Sequence, residues 1–111
     1  MNEPLDIGNL LANLPCAQET EQSETLLSMG PVRIERIVSA GQVTPEGVWY
    51  DQNGDEWVAV LQGSATLSFD DGRGDAHLSA GGWICLPAGC RHRVRATSTD
   101  PVCIWLAVHT Q

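Results

Sequence analysis

The sequence predicts an all-β fold, a sandwich or barrel of short strands, and three observations carry that prediction. Apolar residues alternate with a period of two along most of the chain after residue 31, and turn residues interrupt them at short, even intervals. All four tryptophans, Trp49, Trp57, Trp83 and Trp105, fall inside the alternating stretches. A chain of 111 residues is one ordinary domain, able to bury roughly two thirds of its unfolded surface.

Taken in order, residues 6–14 place Ile7, Leu10, Leu11 and Leu14 at the i, i+3, i+4, i+7 spacing of one helical face, with Asp6 to cap and Pro15 to stop it. A short amphipathic N-terminal helix is expected. Residues 18–24 hold three glutamates and little to bury, which reads as a solvated linker. Residues 1–25 are thus expected to be helix and linker, and 26–111 the β domain. Strands are expected at 32–39, 47–52, 56–61, 65–69, 82–86, 92–96 and 102–109. Asn53-Gly54 and Asp70-Asp71-Gly72 supply the residues that tight hairpins need, and Gly41, Gly63, Gly74 and Gly89 mark further turns. The polar stretch 72–79 reads as a loop with His77 exposed.

Fourteen acidic residues against six basic ones give a net charge of −8, which repels phosphate backbones and anionic lipid headgroups. Nucleic-acid and membrane partners are disfavoured, and a small-molecule ligand is expected instead. All six basic residues are arginine, so lysine Schiff-base chemistry is excluded. Met1-Asn2-Glu3-Pro4 lacks the basic and apolar blocks of a signal peptide, and no apolar run of about 18 residues occurs, so a cytoplasmic protein is expected. Cys16, Cys85, Cys90 and Cys103 form no CxxC pair and read as reduced thiols.

The chemistry-bearing pattern is a matched pair: Glu56 followed after six residues by Gly63, and Gly81 followed by Pro87-Ala88-Gly89 and His92. The second half, Gly-x5-Pro-x-Gly-x2-His, resembles the second motif of the cupins at all its fixed positions. This resemblance covers roughly residues 47–108 and implies a double-stranded β-helix, the cupin jelly-roll barrel. Two departures matter. Ala96 stands where the second motif usually closes with Asn, and Tyr50 and Gln52 stand where the first motif, His-x-His-x3-Glu-x6-Gly, has its two histidines.

Period-two alternation sorts the side chains onto faces. Glu56, Val58 and Val60 form one row, and Trp57, Ala59 and Leu61 the other; His92, Val94 and Ala96 oppose Arg91, Arg93 and Arg95. If Glu56 and His92 face inward, as the resemblance implies, Trp57 and three arginines lie outside, and the arginines read as a solvated or subunit-contact face. Arg36 shares a row with Ile34 and Val38, and such a guanidinium either enters the barrel mouth to bind a substrate anion or Glu56, or forms a surface pair with Glu35 or Glu46. His109 shares a row with Cys103, Trp105 and Ala107, so an inward row brings Trp105 and His109 to the pocket. Trp105 or Trp49 would then offer a stacking platform for a sugar ring, with core packing as the plainer role. Cys90, two residues before His92, reads as a passive thiol.

The resemblance implies one divalent transition metal (Zn, Mn, Fe or Ni), held by Glu56, His92 and Gln52. Such an ion wants at least three firm donors. Here two are firm, and a metal-free cavity is the equal alternative. Counting one residue longer puts Trp49 and Asp51 in the ligand slots. Without metal, His92 as base, Glu56 to orient it and Tyr50 as proton donor make an acid–base constellation of isomerase or epimerase type, with Arg36, Gln52 and Trp105 as substrate-binding residues. Glu56 and His92 as a mutually satisfied buried pair is the non-catalytic reading. Within the cupins the expected function is sugar-phosphate isomerase-type chemistry of the mannose-6-phosphate isomerase kind. The alternatives are a ligand-binding or sensing cupin with an eroded metal site and a metal-dependent dioxygenase. Small cupins commonly pair, so a homodimer is expected, with outward Trp57 and the arginine row as its contact surface.

Overall fold

A computed structural model describes residues 3–110. The chain forms eight strands: β1 (Gln22–Met29), β2 (Val32–Ser39), β3 (Glu56–Gln62), β4 (Ser64–Phe69), β5 (Ala76–Ser79), β6 (Trp83–Leu86), β7 (His92–Thr97) and β8 (Cys103–Thr110). They make two antiparallel sheets, one in the order β1-β2-β8-β3-β6 and one in the order β5-β4-β7. The inner rows of both sheets meet in a core that includes Val58, Val60, Leu67, Phe69, Leu86 and Trp105. The predicted all-β jelly roll is therefore the observed one.

Register explains which residues share the interior, because directly paired residues in neighbouring strands point to the same face. Across β2, β8 and β3, Arg33 pairs with His109, which pairs with Glu56. Two rows further along the same face, past Glu35, Ala107 and Val58, Ile37 pairs with Trp105, which pairs with Val60. On the facing sheet Phe69 pairs with His92 and Leu67 with Val94. Val60 and Ile104 are fully shielded from solvent, and side chains of that kind stabilise by roughly 1.5–3 kcal/mol each.

Gly63, which closes the first motif and joins β3 to β4, has φ +79°. A Cβ there would also run into the Ser98 hydroxyl and the Val102 carbonyl. Glycine is required at this corner for both conformation and space.

Four sequence expectations need correction. No helix forms among the described residues, and 6–14 run as irregular chain with a turn at 10–11 and a bend at 12–13. Leu5 and Ile7 are 88% and 96% exposed, so the apolar face has nothing to pack on, and a lone helix of two turns does not repay its nucleation cost. Asn9 instead accepts the Leu11 N–H on its side chain (2.8 Å), a local bond that competes with helix. The polar segment read as linker contains the start of β1, so the expected boundary at residue 25 falls inside a strand. Its outward residues carry no apolar alternation because β1 is an exposed edge strand. Finally, β5 occupies part of the polar 72–79 stretch, where the Thr66 hydroxyl and His77 Nδ1 lie 3.0 Å apart, while the expected strand at 47–52 reduces to a single bridge between Tyr50 and His92.

Candidate active site

The loop before Glu56 and the turn before His92 are tied together by backbone hydrogen bonds. Gly89 N–H donates to Gln52 O (2.9 Å) and Cys90 N–H to Pro87 O (3.0 Å). Ala88 N–H donates to the Asp55 carboxylate (2.9 Å). Tyr50 and His92 exchange both backbone bonds, at 2.7 and 3.1 Å. The Pro-Ala-Gly turn of the second motif is thus fastened to the segment carrying Tyr50 and Gln52, and both site-bearing loops are fixed before any ligand arrives.

Between the sheets lies a cavity of about 250 Å³ whose polar wall includes Glu35, Tyr50, Gln52, Glu56, His92 and His109. Its deeper wall is apolar, with Ile37, Val58, Leu67 and Trp105. A wider hollow of about 590 Å³ shares Arg33, Gln52 and His109 with it and opens past the β1–β2 turn.

Glu56 and His92 are both buried, and His92 Nε2 lies 3.8 Å from Glu56 Oε1. That is beyond hydrogen-bonding distance, so the two groups do not satisfy each other directly. His92 Nδ1 is 2.9 Å from the Cys90 carbonyl. A carbonyl only accepts, so Nδ1 carries a proton, and in the neutral tautomer that this selects Nε2, turned toward Glu56, is the accepting nitrogen. The other Glu56 oxygen is 3.7 Å from His109 Nε2, and His109 Nε2 is 2.6 Å from Glu35 Oε1. With Glu35 ionised, His109 Nε2 is the donor in that short contact. Both imidazoles therefore flank one carboxylate.

Of the residues expected at the site, Glu56, His92, Tyr50, Gln52 and Trp105 line the cavity together. Tyr50 is 44% exposed at the rim, its ring 5.6 Å from that of His92. Trp105 is buried with its indole N–H on Ser39 Oγ (3.0 Å), and Ser39 in turn donates to Glu21 (2.6 Å). Arg36 does not join them. On β2 the odd-numbered row Arg33, Glu35, Ile37 faces the cavity, and Arg36 lies on the opposite face, buried under the N-terminal segment. Its Nε donates to Glu24 (2.6 Å), its Nη1 to the carbonyls of Leu10 (3.1 Å) and Ala12 (2.7 Å), and its Nη2 to that of Asn13 (3.2 Å). The anion it was expected to meet in the barrel mouth is Glu24 on the outer face.

Glu35 is the cavity residue that sequence reasoning left on the surface. The signal that finds it is parity: Glu35 sits two residues from Arg33, which pairs with His109. Of the three arginines at the start of and along β7, Arg91 and Arg95 lie outside as expected, paired with Asp70 (2.6 Å) and Asp75 (2.8 Å), whereas Arg93 is half-buried and donates to the Thr44 carbonyl (3.0 Å). Trp57 stacks against Trp83 of β6 at 6.1 Å. That places Trp57 and the arginines on different sheets rather than on one surface.

The donor set fits a three-ligand metal site poorly. Among the described residues no three of His, Cys, Asp and Glu converge to hold an ion. Glu56 and His92 are firm donors, Gln52 adds only a neutral amide, and His109 Nε2 is engaged by Glu35.

The profile of the cupin domain matches residues 36–109. The chain belongs to the cupin family. Among solved structures, this cupin is similar to a protein of Ralstonia eutropha JMP134 that bears the name "putative mannose-6-phosphate isomerase", with 40% identity, a TM-score of 0.91, and coverage of 96% of this chain and 99% of that one. It is also similar to a cupin superfamily protein of Desulfitobacterium hafniense DCB-2, with 22% identity, a TM-score of 0.77, and coverage of 99% and 95%. A conserved Streptococcus pyogenes protein of unknown function gives 22% identity, a TM-score of 0.76, and coverage of 99% and 90%. The last two likenesses speak to the fold alone. No curated protein matches the chain. No helix of the described residues is long and apolar enough to cross a membrane.

Proposed function

We propose that this cupin catalyses isomerase-type proton transfer on a small hydroxy-carbonyl compound, a sugar phosphate being the class to which the name of the Ralstonia protein points. The observation that carries this reading is the free His92 Nε2 facing Glu56 across 3.8 Å inside a cavity of about 250 Å³.

Nε2 accepts the proton from the carbon beside the carbonyl, and Glu56 opposite it favours the imidazolium that results. The C–H electron pair becomes the C=C bond of an enediol while the carbonyl oxygen takes a proton from an acid in the cavity. Delivery of the proton on His92 to the former carbonyl carbon, with loss of the neighbouring hydroxyl proton, completes the isomerisation. Tyr50 at the rim is the acid that the sequence suggests. Arg33, shared by the cavity and the outer hollow, is the cation that a phosphate at the mouth would meet. No step is routed through a metal, because only two firm donors are present.

The test is solvent exchange: the full chain is incubated with mannose 6-phosphate or fructose 6-phosphate in D₂O and deuterium at C1 and C2 is followed by NMR. Incorporation is expected, falling by about 10²-fold or more in Glu56→Gln and His92→Ala. Saturable binding of either sugar phosphate with no exchange would support instead a ligand-binding cupin.

A further inference from the structure

We infer that the molecule this cavity takes carries a short hydrocarbon tail beyond its reacting carbons, so that the substrate class is an α-hydroxy carbonyl compound with an unhydroxylated tail. This rests on the proton-transfer reading above and narrows the compound on which it acts.

The lining changes character at the same end of both sheets. Arg33, His109 and Glu56 stand side by side in one row across β2, β8 and β3. Four residues along those strands the row is Ile37, Trp105 and Val60. On the facing sheet the step from the His92 pair to the apolar Leu67–Val94 pair is two residues. Both steps run toward Gly63, the corner that joins β3 to β4, so the apolar rows come together, and Val60, Leu67 and Trp105 share one cluster with Ile37 and Val94 packed against it. At about 3.4 Å per residue the change from polar to apolar lining takes about 7–14 Å.

That apolar wall offers a hydroxyl no partner. Ile37, Val58, Leu67 and Val94 have no polar side-chain atom, and Trp105 donates its indole N–H to Ser39 Oγ (3.0 Å). Ser39 is fully shielded and donates in turn to Glu21 (2.6 Å). The indole therefore presents only carbon to the cavity. Glu21 and Ser23, the other polar residues near this wall, are exposed and lie at the β1 edge. A hydroxyl pressed against the wall would give up its water without a replacement, whereas a methylene there gains by leaving water.

A hexose phosphate with its phosphate at Arg33 and C1 and C2 beside His92 ends at C1 and leaves the wall uncovered. Turned round, it would bring its hydroxyls and its phosphate against carbon. The cavity volume of about 250 Å³ lies under the roughly 300–1,000 Å³ of pockets for drug-sized ligands, so the tail is short.

The test uses the full chain and a homologous series from 1-hydroxypropan-2-one to 1-hydroxyhexan-2-one, titrated by tryptophan fluorescence and by ¹H–¹⁵N chemical shifts. Kd is expected to fall about fourfold for each added methylene, with the Trp105 indole signal among those that move. Erythrulose has the carbon skeleton of 1-hydroxybutan-2-one with two more hydroxyls and is expected to bind at least about tenfold more weakly than that ketone. Val94→Thr keeps the shape of the wall and adds one hydroxyl, and it is expected to narrow that preference by about threefold or more.

A series that does not bind, that is flat or that weakens with length overturns the inference, and so does erythrulose binding as tightly as 1-hydroxybutan-2-one. An unchanged preference in a folded Val94→Thr also overturns it, and the wild-type series decides alone if that variant does not fold. Deuterium uptake at C1 of the same ketones in D₂O is read separately. Affinity that rises with length and no uptake supports the tail and counts against proton transfer, whereas uptake with a flat series supports proton transfer and overturns the tail.

Discussion

Replacing Arg36 by methionine tests whether this buried guanidinium is a strap or a substrate ligand. The side chain is 6% exposed and makes four hydrogen bonds, one to Glu24 and three to the carbonyls of Leu10, Ala12 and Asn13. Methionine keeps most of the apolar stem and deletes every donor. The freed carbonyls belong to a largely exposed segment and can turn to water, so each bond counts at the lower end of the usual range, about 0.5–1 kcal/mol. Glu24 is 43% exposed, which discounts the ion pair to about 0.5 kcal/mol. Together the loss is about 2–3.5 kcal/mol, a fall in Tm of about 8–15 °C for a domain of this size. Urea unfolding followed by tryptophan fluorescence measures it, and limited proteolysis should show cleavage before residue 18 appearing first. A loss under about 0.5 kcal/mol with unchanged proteolysis would refute the strap, and weakened sugar-phosphate binding at unchanged stability would restore Arg36 to the site.

Ile104 is fully buried on the outer face of the five-stranded sheet, so Ile104→Ala is expected to cost about 2–5 kcal/mol by chemical denaturation; a cost below 1 kcal/mol would mean the N-terminal segment does not close over that face. The Cys103 thiol is pushed up to about 12 by burial first and by Glu21 second, from an ordinary value of 9.0. Its contribution is therefore fully present below about pH 9 and lost as pH rises toward about 12, because the unfolded chain releases that proton earlier. Denaturation at pH 8 and pH 10.5 should show a decline that is reduced in Cys103→Ala, and at pH 8 a thiol reagent should label the exposed Cys16 and Cys85 well before Cys103.

Much of the site was legible in the chain because strand geometry is a period-two code. Once Glu56 and His92 are taken to face inward, Val58 and Val94 must follow, as they do, and the glycine and proline spacings mark where each strand can begin. The N-terminal helix failed for a reason the sequence does not contain. Leucines at helical spacing promise an apolar stripe, but whether a partner surface exists depends on where the chain lies, and here Arg36 claims the carbonyls that a helix would have used. The edge strand β1 was invisible because exposed positions carry no hydrophobic alternation.

What the amino-acid order determined by itself is local and periodic: an all-β cupin, the strands that bear Glu56 and His92, and which side chains of one strand share a face. What only the tertiary structure decided is neighbourhood. Glu35, Glu56 and His109 lie on three strands far apart in the chain, and they meet because antiparallel register aligns β2, β8 and β3. Alternation fixes the side of a sheet that a residue faces, whereas register fixes its companions, and a slip of two residues would keep every face yet separate the two imidazoles from the carboxylate between them.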